Sequence, residues 1–173
     1  MNIVLLIAGC LLLKDDDLVI IPAKNRDNPP FKLSGYYLVH EKEVYDGCAH
    51  KSTYFFYSNG VVLYGGSYYA SDSIVFIKLK NIIDQYGLSF FNDSKPGWGS
   101  YCENNNKIDF EIWMPSSGGG LKTVIRSGII LNDTCFLINK IFDNYSKKME
   151  SANDTFYFQQ FCPKPDSINK WVP

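Results

Sequence analysis

Histidine is nearly absent: His40 and His50 are the two in 173 residues. Both lie near Asp46 and Cys48, but Cys48-x-His50 puts two donors on one short loop without the second ligand pair a zinc site needs. Both are read as surface residues, with no metal. The five cysteines include no C-x-x-C spacing, which excludes a zinc ribbon or a thioredoxin-like motif. No G-x-S-x-G elbow occurs, and Gly118-Gly119-Gly120 lacks the Lys-Ser/Thr of a phosphate loop, so it reads as a flexible hairpin connection. Asp109 and Glu111 share a strand face and read as solvated. Charge is scarce and balanced, with 17 basic and 18 acidic residues and a net charge of -1. No basic patch marks a nucleic-acid binder. A hydrophobic share of 46% excludes disorder. The long apolar run at residues 3–13 falls short of the roughly 20 residues a membrane helix needs. No nucleophile, base or metal cluster converges, so neither an enzyme nor a cofactor is expected.

What is abundant is aromatic: 12 Tyr, 12 Phe and 3 Trp. Aromatics fit strands better than helices. Short aromatic and β-branched runs, separated by turn signals, predict strands over 34–39, 53–57, 61–64, 98–102, 107–114, 122–131, 134–141 and 155–161. Asn59-Gly60 predicts a type I′ hairpin turn. Ile108, Phe110, Ile112 and Met114 alternate onto one face. Pro163 and Pro165 end the last strand. Between the third and fourth strands, helical spacing predicts one short helix over 78–86, stopped by Gly87 and packing on or plugging the sheet, with Ser73–Phe76 readable as helix or strand. The expected fold is all-β: an eight-stranded antiparallel up-and-down barrel, with a sandwich as the alternative.

Met1–Gly9 reads as a signal peptide. Ile7-Ala8-Gly9-Cys10 resembles the lipobox of bacterial lipoproteins, which implies cleavage before Cys10 and a lipid on its thiol. Lys14-Asp15-Asp16-Asp17 is similar to the surface-export signal of Bacteroidota lipoproteins. Residues 22–32 have linker composition, so 10–32 is expected to be anchor and flexible tether, 33–168 the barrel and 169–173 a tail. With Cys10 lipidated, Cys48, Cys102, Cys135 and Cys162 remain, an even number suited to two disulfides in an oxidising compartment. Pairing Ile141 with Phe156 across the last hairpin puts Cys135 opposite Cys162, which leaves Cys48 for Cys102.

Leu33-Ser34-Gly35-Tyr36-Tyr37, Trp98-Gly99-Ser100-Tyr101, Gly128–Thr134 with Phe136, and Phe158-x-x-Phe161-x-Pro163-x-Pro165-Asp166-Ser167 resemble the lipocalin-like lipoproteins of Bacteroidota. The resemblance implies a calycin-type barrel, a lipid anchor and residence in the cell envelope at the outer membrane. It brings no catalytic residues. Tyr36, Tyr57, Tyr68 and Tyr69 join Tyr37, Tyr54, Tyr64 and Tyr101 as rings able to line a cup, with Trp98 plugging its base; Tyr37, Tyr54, Tyr64, Tyr101 and Trp98 form the expected ligand set. Two functions follow: a module binding a small apolar or amphipathic ligand, or a filled barrel that contacts other envelope proteins through its loops.

Overall fold

The computed structural model describes residues 14–22, 29–45 and 47–172. The predicted signal peptide, the lipidation of Cys10 and residues 23–28 of the predicted tether lie outside these. The eight predicted strands are present and longer than expected: β1 Gly35–Tyr45, β2 Cys48–Phe56, β3 Val61–Tyr69, β4 Trp98–Asn104, β5 Lys107–Pro115, β6 Leu121–Asn132, β7 Cys135–Asp143 and β8 Lys148–Gln160. Each pairs antiparallel with the next, and β8 closes on β1. Connections therefore alternate between two ends. The mouth carries the β1–β2, β5–β6 and β7–β8 turns; the base carries β2–β3, β4–β5 and β6–β7.

The type I′ geometry expected at Asn59-Gly60 is found elsewhere. There Gly60 alone turns left-handed, at φ 80°, whereas Asn105 and Asn106 both have positive φ in the β4–β5 turn. Gly99 and Gly128 are required by close approach: a Cβ at either would sit 1.8 Å from the Glu111 carbonyl oxygen or 1.9 Å from that of Leu137.

β1, β2 and β3 carry apolar residues on both faces, so the wall is buried from both sides. Inward-facing Phe31, Tyr37, Phe56, Tyr101, Phe110, Phe136 and Phe156 belong to the interior core. Their rings meet edge-on or tilted, with Phe136 stacked on Phe156, at centroid separations of 4.7–6.0 Å. Phe31, expected in the linker, is 1% exposed and enters the barrel from the base. The outer core contains Tyr36, Leu38, Phe55, Tyr57, Leu63 and Trp98. It is covered by α1 (Asp72–Tyr86) through Val75, Leu79 and Ile83, one apolar residue per turn. The helix thus starts six residues earlier than expected, takes in Ser73–Phe76, and packs outside the barrel instead of plugging it. Trp98 also faces outward: its indole N–H donates to the Phe91 carbonyl at 2.8 Å, and its ring stacks on Tyr57. The tail is not free either, since Trp171 and Val172 pack against the outer core.

Residues 14–22, expected in the tether, form a strap down the outside of β4, β5 and β6. The Asp16 amide donates to the Leu121 carbonyl at 2.9 Å, and its own carbonyl accepts the Trp113 indole N–H at 2.7 Å. Asp15 accepts from Lys95 and the Leu121 amide; Asp16 accepts from Lys122 and the Thr123 amide. The ammonium of Lys95 and the Leu121 amide hold the Asp15 carboxyl below its usual range. Burial opposes the same shift in Asp16, but Lys122 and Thr123 outweigh it. Glu111, expected on a solvated face, is 0% exposed beneath the strap. One of its oxygens accepts the amides of Val19 at 2.6 Å and Ile20 at 2.9 Å.

The expected disulfides are not formed. No bridge joins Cys102, Cys135 or Cys162. Cys135 lies opposite Tyr157, and Cys162 falls beyond the end of β8. The register differs because β8 starts at Lys148 after a short turn, so Ile141 faces Glu150 and not Phe156. A bulge between Ile138 and Lys140 shifts it further. Cys48 opens β2 at the mouth, whereas Cys102 lies near the β4–β5 turn at the base, so their places in the strands keep them apart.

The strap makes a direct prediction. Glu111→Ala leaves the Val19 and Ile20 amides without their charged acceptor, a loss of about 1.5–3 kcal/mol per bond. Hydrogen exchange at these two amides should accelerate at least about tenfold, while exchange in β7 and β8 stays unchanged. Unaltered exchange at Val19 and Ile20 would show that the carboxylate does not hold the strap.

Candidate functional site

The inward face changes character from base to mouth. At base and mid-level, Ile108, Phe110, Phe136 and Ile138 are 0% exposed. Nearer the mouth, Tyr64, Met114, Val124, Arg126, Ile141 and Ala152 are only partly buried. All six are placed inward by register or packing: Tyr64 faces Tyr54, Val124 faces Ile112, Arg126 faces Phe110, and Met114, Ile141 and Ala152 pack on the interior core. A side chain that points into a barrel yet keeps exposure faces an opening. Among the described residues the interior is therefore a ring-filled base below a shallow cup at the mouth.

Arg126 is the cup's basic group, and it shares the inward face with Glu150, which lies across from Ile141, and Asp154, which lies across from Ile138. Its guanidinium carbon lies 5.7 Å from the Tyr54 ring centroid and 5.8 Å from that of Phe110, within cation–π range. Its Nη1 is buried and has no hydrogen-bond partner. Among the described residues no acidic side chain pairs with it, although Asp154 of β8 faces inward. A guanidinium held on two rings with a buried donor unused presents its charge to whatever enters.

The expected ligand set is divided by this geometry. Tyr54 lies beside Arg126, and Tyr64 meets Tyr54 with ring centroids 5.3 Å apart. Tyr37 and Tyr101 belong to the base, where their hydroxyls donate to the carbonyls of Asp133 at 3.3 Å and Tyr57 at 2.7 Å. Trp98, Tyr36 and Tyr57 belong to the outer core. Sequence reasoning did not single out Arg126; only the register that pairs it with Phe110 turns it inward.

Outside the barrel, a groove of about 390 Å³ runs between α1 and the wall, lined by Tyr36, Asp72, Ser73, Phe76, Ile77 and Gln159. Burial raises the Tyr36 hydroxyl to a pKa of about 12, keeping it protonated. Asp72 is already engaged: Lys51 donates to it, and His40 Nε2 lies 3.3 Å away. His50 stacks on Tyr69. Among the described residues no cluster of three or more His, Cys, Asp or Glu forms a metal site.

The base is sealed by Lys164. Its ammonium donates to the Leu33 carbonyl at 2.8 Å and to the Phe56 carbonyl, and lies 3.8 Å from the Tyr57 ring centroid.

Compared with known proteins, the chain matches no family model, no curated protein and no solved structure. What the fold defines is a class: an eight-stranded, closed, up-and-down antiparallel barrel with one helix between β3 and β4, consistent with the lipocalin-like type.

Lys164 sets a pH dependence. Burial lowers its pKa from 10.5 to about 7. Between these values the unfolded chain holds a proton that the folded chain has released, so this group adds stability as pH rises from about 7 toward 10.5. The melting temperature of Lys164→Met, measured by circular dichroism across that window, should lack this rising component. Parallel curves for the two chains would refute the assignment.

Proposed function

We propose that the protein is a cell-envelope lipoprotein whose barrel mouth binds a small amphipathic molecule with an anionic head. The observation that carries the ligand reading is the buried, unpartnered Nη1 of Arg126 on the inward face. Tyr54 supplies a ring beside it and Tyr64 a second ring against Tyr54, with Met114 and Ile141 an adaptable apolar wall. The envelope reading is supported by the lipobox-like Ile7-Ala8-Gly9-Cys10 together with the lipocalin-like barrel. Cys10 is the proposed lipidated residue and the outer membrane the proposed location.

A second reading, a filled barrel that contacts other envelope proteins, is favoured by the solid packing of the base. Outward Ile129, Leu131 and Tyr157 leave apolar surface at 40–52% exposure on β6 and β8, where no helix or strap among the described residues covers them.

Two fluorescent probes separate the readings: anilinonaphthalene sulfonate, which is anionic, and phenylnaphthylamine, which is neutral. The native chain should bind the anion more tightly. A charge-assisted hydrogen bond contributes about 1.5–3 kcal/mol, so Arg126→Met should weaken sulfonate binding about 10- to 100-fold and leave the neutral probe within about twofold. Equal affinity of the native chain and the variant for the sulfonate would remove the ligand role from Arg126 and leave the interaction reading.

A further inference from the structure

The strap fixes which end of the barrel meets whatever lies upstream of it. Asp15 and Asp16 are bonded at Leu121, Lys122 and Thr123, the first residues of β6, and β6 starts at the mouth. Lys14 precedes them there, with its side chain 83% exposed. The apolar run over 3–13, with Cys10 inside it, therefore joins the protein at the mouth and not at the base.

Covalent reach makes this restrictive. A chain spans at most about 3.6 Å per residue, so an anchor on Cys10 lies no more than about 18 Å from Asp15. A twelve-residue strand such as β6 at a barrel tilt near 40° rises about 30 Å. A lipid on Cys10 can hold the mouth against a bilayer, whereas an upright barrel cannot present its base to it.

The rim is built for such a neighbour. Tyr145 is 51% exposed, Met149 67% and Tyr69 44%, all at strand ends on the mouth side. The Tyr145 ring lies against Gly118, and its hydroxyl accepts from Ser117 at 3.3 Å, so the β5–β6 and β7–β8 turns form one surface. Lys147, Lys148 and Glu150 are exposed beside it. Tyrosine favours the interface between headgroups and acyl chains, and lysine stems bury there while their ammonium groups stay in water.

We propose that the barrel sits mouth-down on a lipid surface, with Tyr145 and Met149 in the headgroup region and Lys147 and Lys148 beside anionic headgroups. The proposal rests on the lipidated Cys10 argued above. It places the opening that holds Arg126 over the bilayer, so an amphipathic ligand passes between membrane and cup without crossing bulk water.

The test uses the full chain, isolated from cells grown with a labelled fatty acid and reconstituted into vesicles of phosphatidylethanolamine and phosphatidylglycerol. Hydrogen exchange is compared with that of Cys10→Ala in solution. Amides of 115–121 and 143–149 should be protected severalfold on vesicles, while the base turns at 58–60 and 133–134 remain unchanged. Protection at the base overturns the proposal. So does protection on the outer wall at Ile129, Leu131 and Tyr157, which marks a second copy, or absence of protection in a chain that carries the label. If the native chain takes up no label, the Cys10 reading fails by itself. Flotation of the unacylated chain with the same vesicles then decides the surface: flotation lost in Tyr145→Ser/Met149→Ser supports it, and no flotation overturns it.

Discussion

The whole architecture depends on a sheet buried on both faces. An antiparallel barrel wall ordinarily hides one face and wets the other, and its strands then alternate cleanly. Here Tyr36 and Leu38 point outward and Tyr37 and Val39 inward, and all four are at most 3% exposed. Such a wall needs two partners. Inside, the rings of facing strands partner one another. Outside, α1, the strap and the C-terminal residues share the task, and each is present because a stretch of outer wall would otherwise leave large apolar side chains in water. The stretch over β6–β8 lacks such a cover among the described residues, and there Ile129, Leu131 and Tyr157 keep 40–52% exposure.

Two-sided burial also explains why the cup is shallow. Rings large enough to meet across the barrel fill its lower half, and an eight-stranded barrel has little interior to spare. Space opens only where the inward positions become smaller or polar, at Val124, Ala152 and Arg126. The charge is held where the rings end, so its environment is apolar below and open above.

The strand order, the count of eight and the single helix were legible in the sequence, because Val, Ile, Tyr and Phe in short runs between turn residues report pleated structure directly. Strand ends were not. Lys148–Asp154 is polar on both faces, since β8 begins at the wet rim, and no alternation marked it as strand. That shortened β8 in the reading and placed Cys135 opposite the wrong residue. The Ser73–Phe76 ambiguity resolved to helix because Val75 completes the spacing of Leu79 and Ile83. Glu111 and Asp15–Asp16 were misread for one shared reason: a carboxylate on an outward position looks solvated unless the segment that covers it is known, and the strap's acidic composition resembled that of a free tether. Arg126 escaped notice because a lone arginine on a strand carries no local signal; only the register with Phe110 turns it inward.

The strap has a consequence in time as well as in space. Its partners lie 80 to 107 residues further along the chain, at Lys95, Ser100, Glu111, Trp113 and Leu121–Thr123. During synthesis the first docked segment of the protein is thus complete long before anything exists for it to dock on. Until β5 and the start of β6 have emerged, residues 14–22 have no wall to dock on. Seating the strap closes that interval, and it does so when about two thirds of the sequence has been made.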